Sequence, residues 1–311
     1  MPVAAQILLD TAHEEGFELA GLTPALPHAD YQMYRSWVED GMAAGMTYLT
    51  DHRAGVRADP RHLLPSAKTM LCVGKLYNTE GPERVADGTG WISRYAWGQR
   101  DYHDVLREGL ERVAAKLAEQ IGEPFESRVV VDTAPLLERS YAREAGLGWV
   151  GKNSCLIHQG SGSWFFLGEL LLSLEVDHYG TPPPDRCGSC RRCIEACPTA
   201  AIVPEGTGWK IDSGLCISYW TIEAKTEAPP ELRAAFGQHL FGCDICQDVC
   251  PWNRRAPVTA EPAFQARNAC PPLAEMGEEE FRERFRKTPV ARTKREGFNR
   301  NVRVALENRG Q

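Results

Sequence analysis

The apolar positions change period several times along the first 180 residues. Between Ala4 and about Ala20, Ile7, Leu8 and Leu9 precede Phe17 and Leu19, a spacing that predicts an amphipathic helix. Thr69–Tyr77 is a short, nearly continuous apolar run and predicts a buried strand. From Tyr102 to Ile121, Val105, Leu106, Leu110, Val113 and Leu117 recur at helical spacing, and Gly122 with Pro124 stops the helix. Arg128–Asp132 predicts a second buried strand, and Thr133-Ala-Pro opens a helix running to about Ala145. Gly146–Asn153 is a glycine-punctuated loop, and Ser163–Val176 follows as a strand pair or one long strand. The alternation predicts an α/β (or α+β) domain ending near Asp177.

Tyr179-Gly-Thr-Pro-Pro-Pro-Asp185 then predicts a stiff linker. The chain divides into residues 1–178, a cysteine-rich module over 179–255, and a loop-rich tail over 256–311 ending in two short basic helical segments. The longest apolar stretch, Trp164–Leu174, is broken by Glu169 and too short to span a membrane. With no leader pattern at the N-terminus, the expectation is a cytoplasmic protein with no membrane contact, working as a monomer.

Composition changes the picture through cysteine. Eight of the eleven cysteines fall between residues 187 and 250, which points to metal rather than disulfides. Cys187-Gly-Ser-Cys190-Arg-Arg-Cys193-Ile-Glu-Ala-Cys197-Pro198 is the C-x2-C-x2-C-x3-C-P run of bacterial ferredoxins. A second run, Cys243-Asp-Ile-Cys246-Gln-Asp-Val-Cys250-Pro251, has Leu240 where its first cysteine would stand, and Cys216 can replace it. Ferredoxin crossing assigns Cys187, Cys190, Cys193 and Cys250 to one [4Fe–4S] cluster, and Cys197, Cys216, Cys243 and Cys246 to the other. A pair of zinc sites would prefer separated C-x2-C knuckles and fits this run poorly. Cys72 reads as core, while Cys155 and Cys270 have no predicted role.

Charge adds one more feature. The net charge is −7, yet residues 281–311 hold ten Lys or Arg against three acids, so an acidic body carries a basic end. A solvated helix face is the plain alternative to a surface for an anionic macromolecule.

Several motifs in order then resemble one family. Arg128–Asn153, Arg94-Tyr-Ala-Trp-Gly-Gln-Arg-Asp-Tyr-His103, the two cysteine runs and His239-Leu-Phe-Gly-Cys-Asp-Ile-Cys246 are similar to epoxyqueuosine reductases over nearly the whole chain. The resemblance implies a cobalamin-binding N-terminal domain, two [4Fe–4S] clusters, and reduction of the epoxide of epoxyqueuosine in a tRNA anticodon to queuosine and water. It implies an external low-potential electron donor of flavodoxin or ferredoxin type. Arg57, Asp132, Asn153, Ser154, His158, Leu240, Phe241, Gly242 and Cys243 fall where the family meets cobalamin, which puts the Cys243 cluster nearer the cobalt. Tyr95, Tyr102, His103 and Arg139 are candidate contacts to the modified nucleotide, and Arg292, Lys294 and Arg295 to the RNA backbone. Longer members continue into a helical-repeat segment, whereas this chain stops soon after Arg303.

The departing oxygen needs a positioned acid. Asp132, at the end of a buried strand, is the candidate, its carboxyl kept protonated by desolvation; a helix N-cap before Ala134 is the bland alternative. Three rival readings stand beside this one: a reductive dehalogenase, a non-catalytic ferredoxin-type electron carrier, and a zinc-dependent nucleic-acid-binding module.

Overall fold

The computed structural model describes residues 2–82 and 86–310. Its strands are β1 (Leu19–Pro24), β2 (Thr69–Leu76), β3 (Trp91–Ile92), β4 (Ser127–Val130), β5 (Trp149–Val150), β6 (Leu156–Ile157), β7 (Phe165–Leu172), β8 (Ile202–Glu205), β9 (Gly208–Ile211) and β10 (His239–Phe241). Four of them form the main sheet in the order β1-β2-β7-β4, and every pairing in it is antiparallel. The mixed helix–sheet domain is therefore present, but built on long-range antiparallel pairings that local periodicity does not encode.

Both faces of this sheet are covered, which is why β2 and β7 read as almost unbroken apolar runs. Leu71, Val73, Phe166, Leu170 and Leu172 face the helices Ala5–Glu14 and Tyr102–Ile121. Met70, Cys72, Phe165 and Leu171 face the other way, against Tyr141 and Ala142 of the helix Glu138–Glu144. The first helix is shorter than its apolar pattern suggests, because Phe17 and Leu19 belong to the turn into β1 and to β1 itself. Gly21 on β1 allows the end of the helix Glu138–Glu144 to approach: a Cβ there would lie 2.1 Å from the Ala145 carbonyl oxygen.

The C-terminal region is more than a tail. Phe281, Phe285, Phe298 and Val302 pack with Ile92, Trp97, Leu240 and Phe241 in a core of their own. Parallel pairing of β3 with β10 ties the first domain to the cysteine module at the same place. The two basic segments are the helices Glu278–Phe285 and Lys294–Arg309, each with an apolar face buried in this core.

Candidate active site and cluster ligands

The helix Tyr102–Ile121 begins where Asp101 accepts a hydrogen bond from the His103 amide, 3.0 Å away, an N-cap of the ordinary kind. The same carboxylate also accepts from His103 Nδ1 at 2.6 Å, and Nε2 on the far side of the ring donates to Asp132 Oδ2 at 2.9 Å. Asp101, His103 and Asp132 thus form one hydrogen-bonded chain, ending in a carboxyl group with 43% of its side chain exposed.

Asp132 stands in this position because the backbone turns sharply after Val131. Its φ is +46°, a left-handed conformation that costs a non-glycine residue about 1–3 kcal/mol. Its amide donates to Glu138 Oε1 at 2.6 Å. The predicted helix from Thr133 is therefore not there; residues 131–137 make tight turns and the helix starts at Glu138. Nor is Asp132 a helix cap, since Leu137 holds that position with no side-chain bond.

The protonation expected of Asp132 is also corrected. Burial pushes its carboxyl upward, but the hydrogen bond and charge of His103, the charge of Arg292 and the Tyr102 hydroxyl together hold it below the ordinary carboxylate value. Burial works against a charged His103, yet its bonds to Asp101 and Asp132 outweigh this and hold the imidazole up at about 9. At neutral pH the proton sits on the histidine. Behind Asp132, burial and then the negative charge of Asp132 push Glu138 up to about 8.

Tyr95 and Tyr102 are not free stacking platforms for a base. Tyr102 stacks on His103 at 4.0 Å and on Phe166 at 4.1 Å, and Tyr95 packs edge-on against Tyr102 and tilted against Phe241. Their rings build the wall that fixes His103. Arg139 is exposed and donates to the Ser154 carbonyl, joining its helix to the glycine-rich loop. Ser154, at φ +61°, is a second left-handed residue beside the site.

The eight module cysteines gather as two quartets. Cys187, Cys190, Cys193 and Cys250 line one cavity of about 40 Å³ together with Lys152, Asn153 and Trp252. Cys216, Cys243 and Cys246 lie close enough to influence one another, with Cys197 acting on Cys216 and Cys243. Among the described residues no three His, Cys, Asp or Glu side chains converge on a single-ion site. The glycine-rich loop reaches both quartets. Lys152 Nζ donates to the Gly188 and Cys190 carbonyls at 2.6 and 2.9 Å, and Asn153 Nδ2 to the Cys246 carbonyl at 3.4 Å. Cys155 stands between the two sets, near Cys246, Cys250 and Cys193, a position no spacing rule announces.

Among the residues expected to meet cobalamin, several face inward. The Arg57 guanidinium is buried, donating to the Arg53 and Tyr48 carbonyls and lying over the Tyr34 ring. His158 turns Nδ1 to the Ser161 hydroxyl and the Gly160 amide in its own tight loop. Leu240 and Phe241 are 0% exposed in the C-terminal core. They support the Gly242–Cys243 edge from behind. Gly242, at φ +71°, donates its amide to Thr221 Oγ1.

Among the described residues four of the tail's ten basic side chains, Arg282, Arg292, Arg295 and Arg303, carry ion pairs. Arg292 pairs with Glu223 at 2.9 Å and lies over Tyr48, and Arg295 pairs with Glu278 and Glu296. Only Lys294 of the three predicted RNA contacts has no carboxylate within 4.0 Å among the described residues. Uncompensated charge from the first part of the same tail gathers in a cavity of about 170 Å³, lined by Arg267, Arg284, Arg286, Lys287 and Gln99 with a single acid, Glu283. Arg284 Nε is buried there without a partner, and burial together with Arg267 holds its guanidinium below the ordinary arginine value.

A two-quartet thiol module packed under an α+β domain that presents a histidine–aspartate pair defines an iron–sulfur redox enzyme. Comparison with known proteins specifies which one. Residues 57–133 match the family model described as "Epoxyqueuosine reductase QueG, DUF1730", and residues 186–253 match "4Fe-4S double cluster binding domain". The epoxyqueuosine reductase of Xanthomonas campestris pv. campestris is 41% identical, over 98% of this chain and 87% of the relative. That of Cellulophaga algicola is also 41% identical, over 86% of each. Among solved structures, an epoxyqueuosine reductase with an epoxyqueuosine-modified tRNA-Tyr stem loop superposes with a TM-score of 0.89 at 29% identity, over 97% of this chain and 80% of that one. The Bacillus subtilis reductase, with its catalytic aspartate loop swung out of the active site, gives 0.87 at 28%, over 97% and 81%. The chain belongs to the epoxyqueuosine reductase family, oxidoreductases of tRNA modification, and its cysteine module is a 4Fe–4S double cluster domain. Among the described residues no helix is long and apolar enough to cross a membrane.

Proposed function

We propose that this protein reduces the epoxide of epoxyqueuosine in tRNA to the alkene of queuosine, with Asp132 delivering to the departing oxygen a proton drawn from His103. The observation that carries this reading is the chain Asp101–His103–Asp132, in which an imidazolium is bonded at both nitrogens to carboxylates and only Asp132 is open to a substrate. Asp132 is thereby a conduit rather than a permanently protonated acid. Replacing Asp132 by Asn keeps the side chain's size and removes its proton chemistry. Turnover of an epoxyqueuosine stem loop should fall by on the order of 10²–10⁴-fold with both clusters retained. A variant as fast as the parent would place the acid elsewhere.

Cys187, Cys190, Cys193 and Cys250 hold one cluster and Cys197, Cys216, Cys243 and Cys246 the other, the first fed by an external low-potential donor of flavodoxin or ferredoxin type. Cobalamin, which the family resemblance implies, fits beside Asp132 and Ser154, two non-glycine residues held left-handed, since such strain collects at ligand clamps, and Gly242 takes the same conformation without strain. Those residues and Cys243 would hold it, with Arg57, Asn153, His158, Leu240 and Phe241 as support. When bound, it supplies the low-valent metal chemistry that breaks bonds at carbon.

A structural relative is solved with a modified tRNA stem loop, and the same partner suits this chain. Its backbone phosphates are expected at the Arg267, Arg284, Arg286 and Lys287 cavity, where buried cationic charge lacks an anion. Gln99 in that wall lies two residues before Asp101, so the cavity adjoins the acid site. Arg284→Ala with Lys287→Ala should weaken stem-loop binding and lower its salt dependence by about one to two ions, whereas Arg295→Ala should leave it unchanged. Equal salt slopes in parent and double variant would move the RNA off this face. Cytoplasmic action as a monomer completes the reading.

A further inference from the structure

Glu169 has no part in the acid site as described, yet it is the most exceptional side chain in the molecule. It stands in the middle of β7, an inner strand of the main sheet, with 0% of its surface exposed and neither carboxyl oxygen hydrogen-bonded among the described residues. Cys72 on β2 and Val130 on β4 lie beside it in the sheet. The groups that act on it are Glu138 and, further out, Asp132, and no cation offsets its charge. An ionised carboxylate at such a place is prohibitive, and the group is neutral. Burial and then the neighbouring Glu138 charge hold its carboxyl well above the ordinary range.

Glu138 stands between this buried acid and the reaction site. Its carboxyl lies close enough to that of Glu169 for the two to be coupled, without the alignment of a formed hydrogen bond. Its Oε1 accepts the Asp132 amide at 2.6 Å, and Arg139 on the same helix is the cation that acts on it. A carboxyl pair thus runs from the sheet interior to the back of Asp132. Simple packing would favour an apolar residue at 169; a buried acid with no partner calls for a function that needs its proton.

Removing an epoxide oxygen as water takes two electrons and two protons, and both carbon–oxygen bonds break as the alkene forms. His103 and Asp132 hold only one transferable proton at neutral pH. A nucleotide seated on Asp132 covers that carboxyl's route to solvent. We infer that Glu138 and the fully buried Glu169 form a carboxyl pair that holds the second proton of the turnover and passes it to Asp132 from the protein side. The first proton moves from His103 Nε2 through Asp132 to the oxygen as the ring opens. The second moves from Glu138 through Asp132 as that oxygen leaves as water, with Glu169 restoring Glu138. The electrons arrive through the clusters, and the pair refills through Asp132 once product departs. This inference rests on the function proposed above. Glu138 and Glu169 act through Asp132 and are positioning and proton-holding residues.

The test uses the cluster-loaded enzyme, Glu138→Gln and Glu169→Gln, and an epoxyqueuosine stem loop bound before reduction. Gln keeps the shape of a protonated Glu, and in Glu138→Gln the new side-chain carbonyl still accepts the Asp132 amide. Infrared spectra of the parent at pH 7 should show a protonated buried carboxyl band that Glu169→Gln removes. In a single turnover Glu138→Gln should slow product formation by on the order of 10²-fold with stem-loop affinity unchanged. Glu169→Gln should shift the alkaline limb of the pH profile downward. Should Glu169→Gln fail to keep its cluster absorption, Glu138→Gln decides alone. Parental rate and pH profile in Glu138→Gln, or no protonated band in the parent, overturns the inference. A parent that shows the band but never reduces the stem loop overturns the proposed function, and the pair's role with it.

Discussion

Asp132 and His103 share one proton, and the directions of their shifts determine how the protein responds to pH. His103 is raised from 6.5 to about 9 on folding, so the folded state binds the proton more tightly. The stability this contributes is complete below about 6.5 and is lost as pH rises through about 9. Glu138, raised from 4.5 to about 8, has the same sign: stability declines as pH climbs from 4.5 through 8. Asp132 is lowered and acts oppositely, losing its contribution only as pH falls below 3.8. Melting temperature should therefore drop between pH 6.5 and 9, and His103→Asn should flatten that drop. An identical slope in the variant would show that the imidazole is not the titrating group. The place of Asp132 after a strand left an acid and a helix cap equally open, and the family resemblance singled out the acid. Its charge state was not legible, because the partner that sets it lies 29 residues away on another helix.

Elements carry the next level of control, most clearly at the start of the helix Tyr102–Ile121. Asp101 caps that helix and also anchors His103, two roles that substitution can separate. Asn is a good cap but carries no charge, so Asp101→Asn should lower the His103 pKa, followed by NMR titration, and keep the parental melting temperature only above about pH 9, where the imidazole is neutral in both. Asp101→Ala should lower both, with a stability loss of about 1 kcal/mol. This helix and its Gly122 stop, and the strand Phe165–Leu172, were readable from spacing alone because their signals are local. The stretch Thr133–Leu137 was misleading for a physical reason. Pro135 suits a helix start, but Glu138 takes the Asp132 amide with its side chain and holds the chain in turns until it has done so. The basic tail misled in a similar way, since its count of charges says nothing of Glu223, Glu275 and Glu278, which approach from elsewhere in the fold.

At the scale of the whole molecule, the cysteine module joins the parts of the chain. Cys216 comes from outside the second cysteine run, and Cys216→Ser should lower bound iron by roughly half, removing one cluster and sparing the other. Unchanged iron in an anaerobic preparation would exclude it as a ligand. The spacing rules singled out this quartet, because cluster geometry constrains sequence directly, whereas the residues expected at cobalamin are scattered singly over many elements. The loop Gly146–Asn153 and its successor Ser154 have a consequence of their own. Lys152 grips the backbone of the first quartet, Asn153 that of the second, and Ser154 receives Arg139 from the helix that positions Asp132. Metal loading and readiness of the acid are thus joined through a single span of chain. Loss of a cluster should therefore disturb the His103 titration as well, because one span of chain bears on both sites, and an unchanged NMR titration in an iron-stripped sample would show the two to be independent.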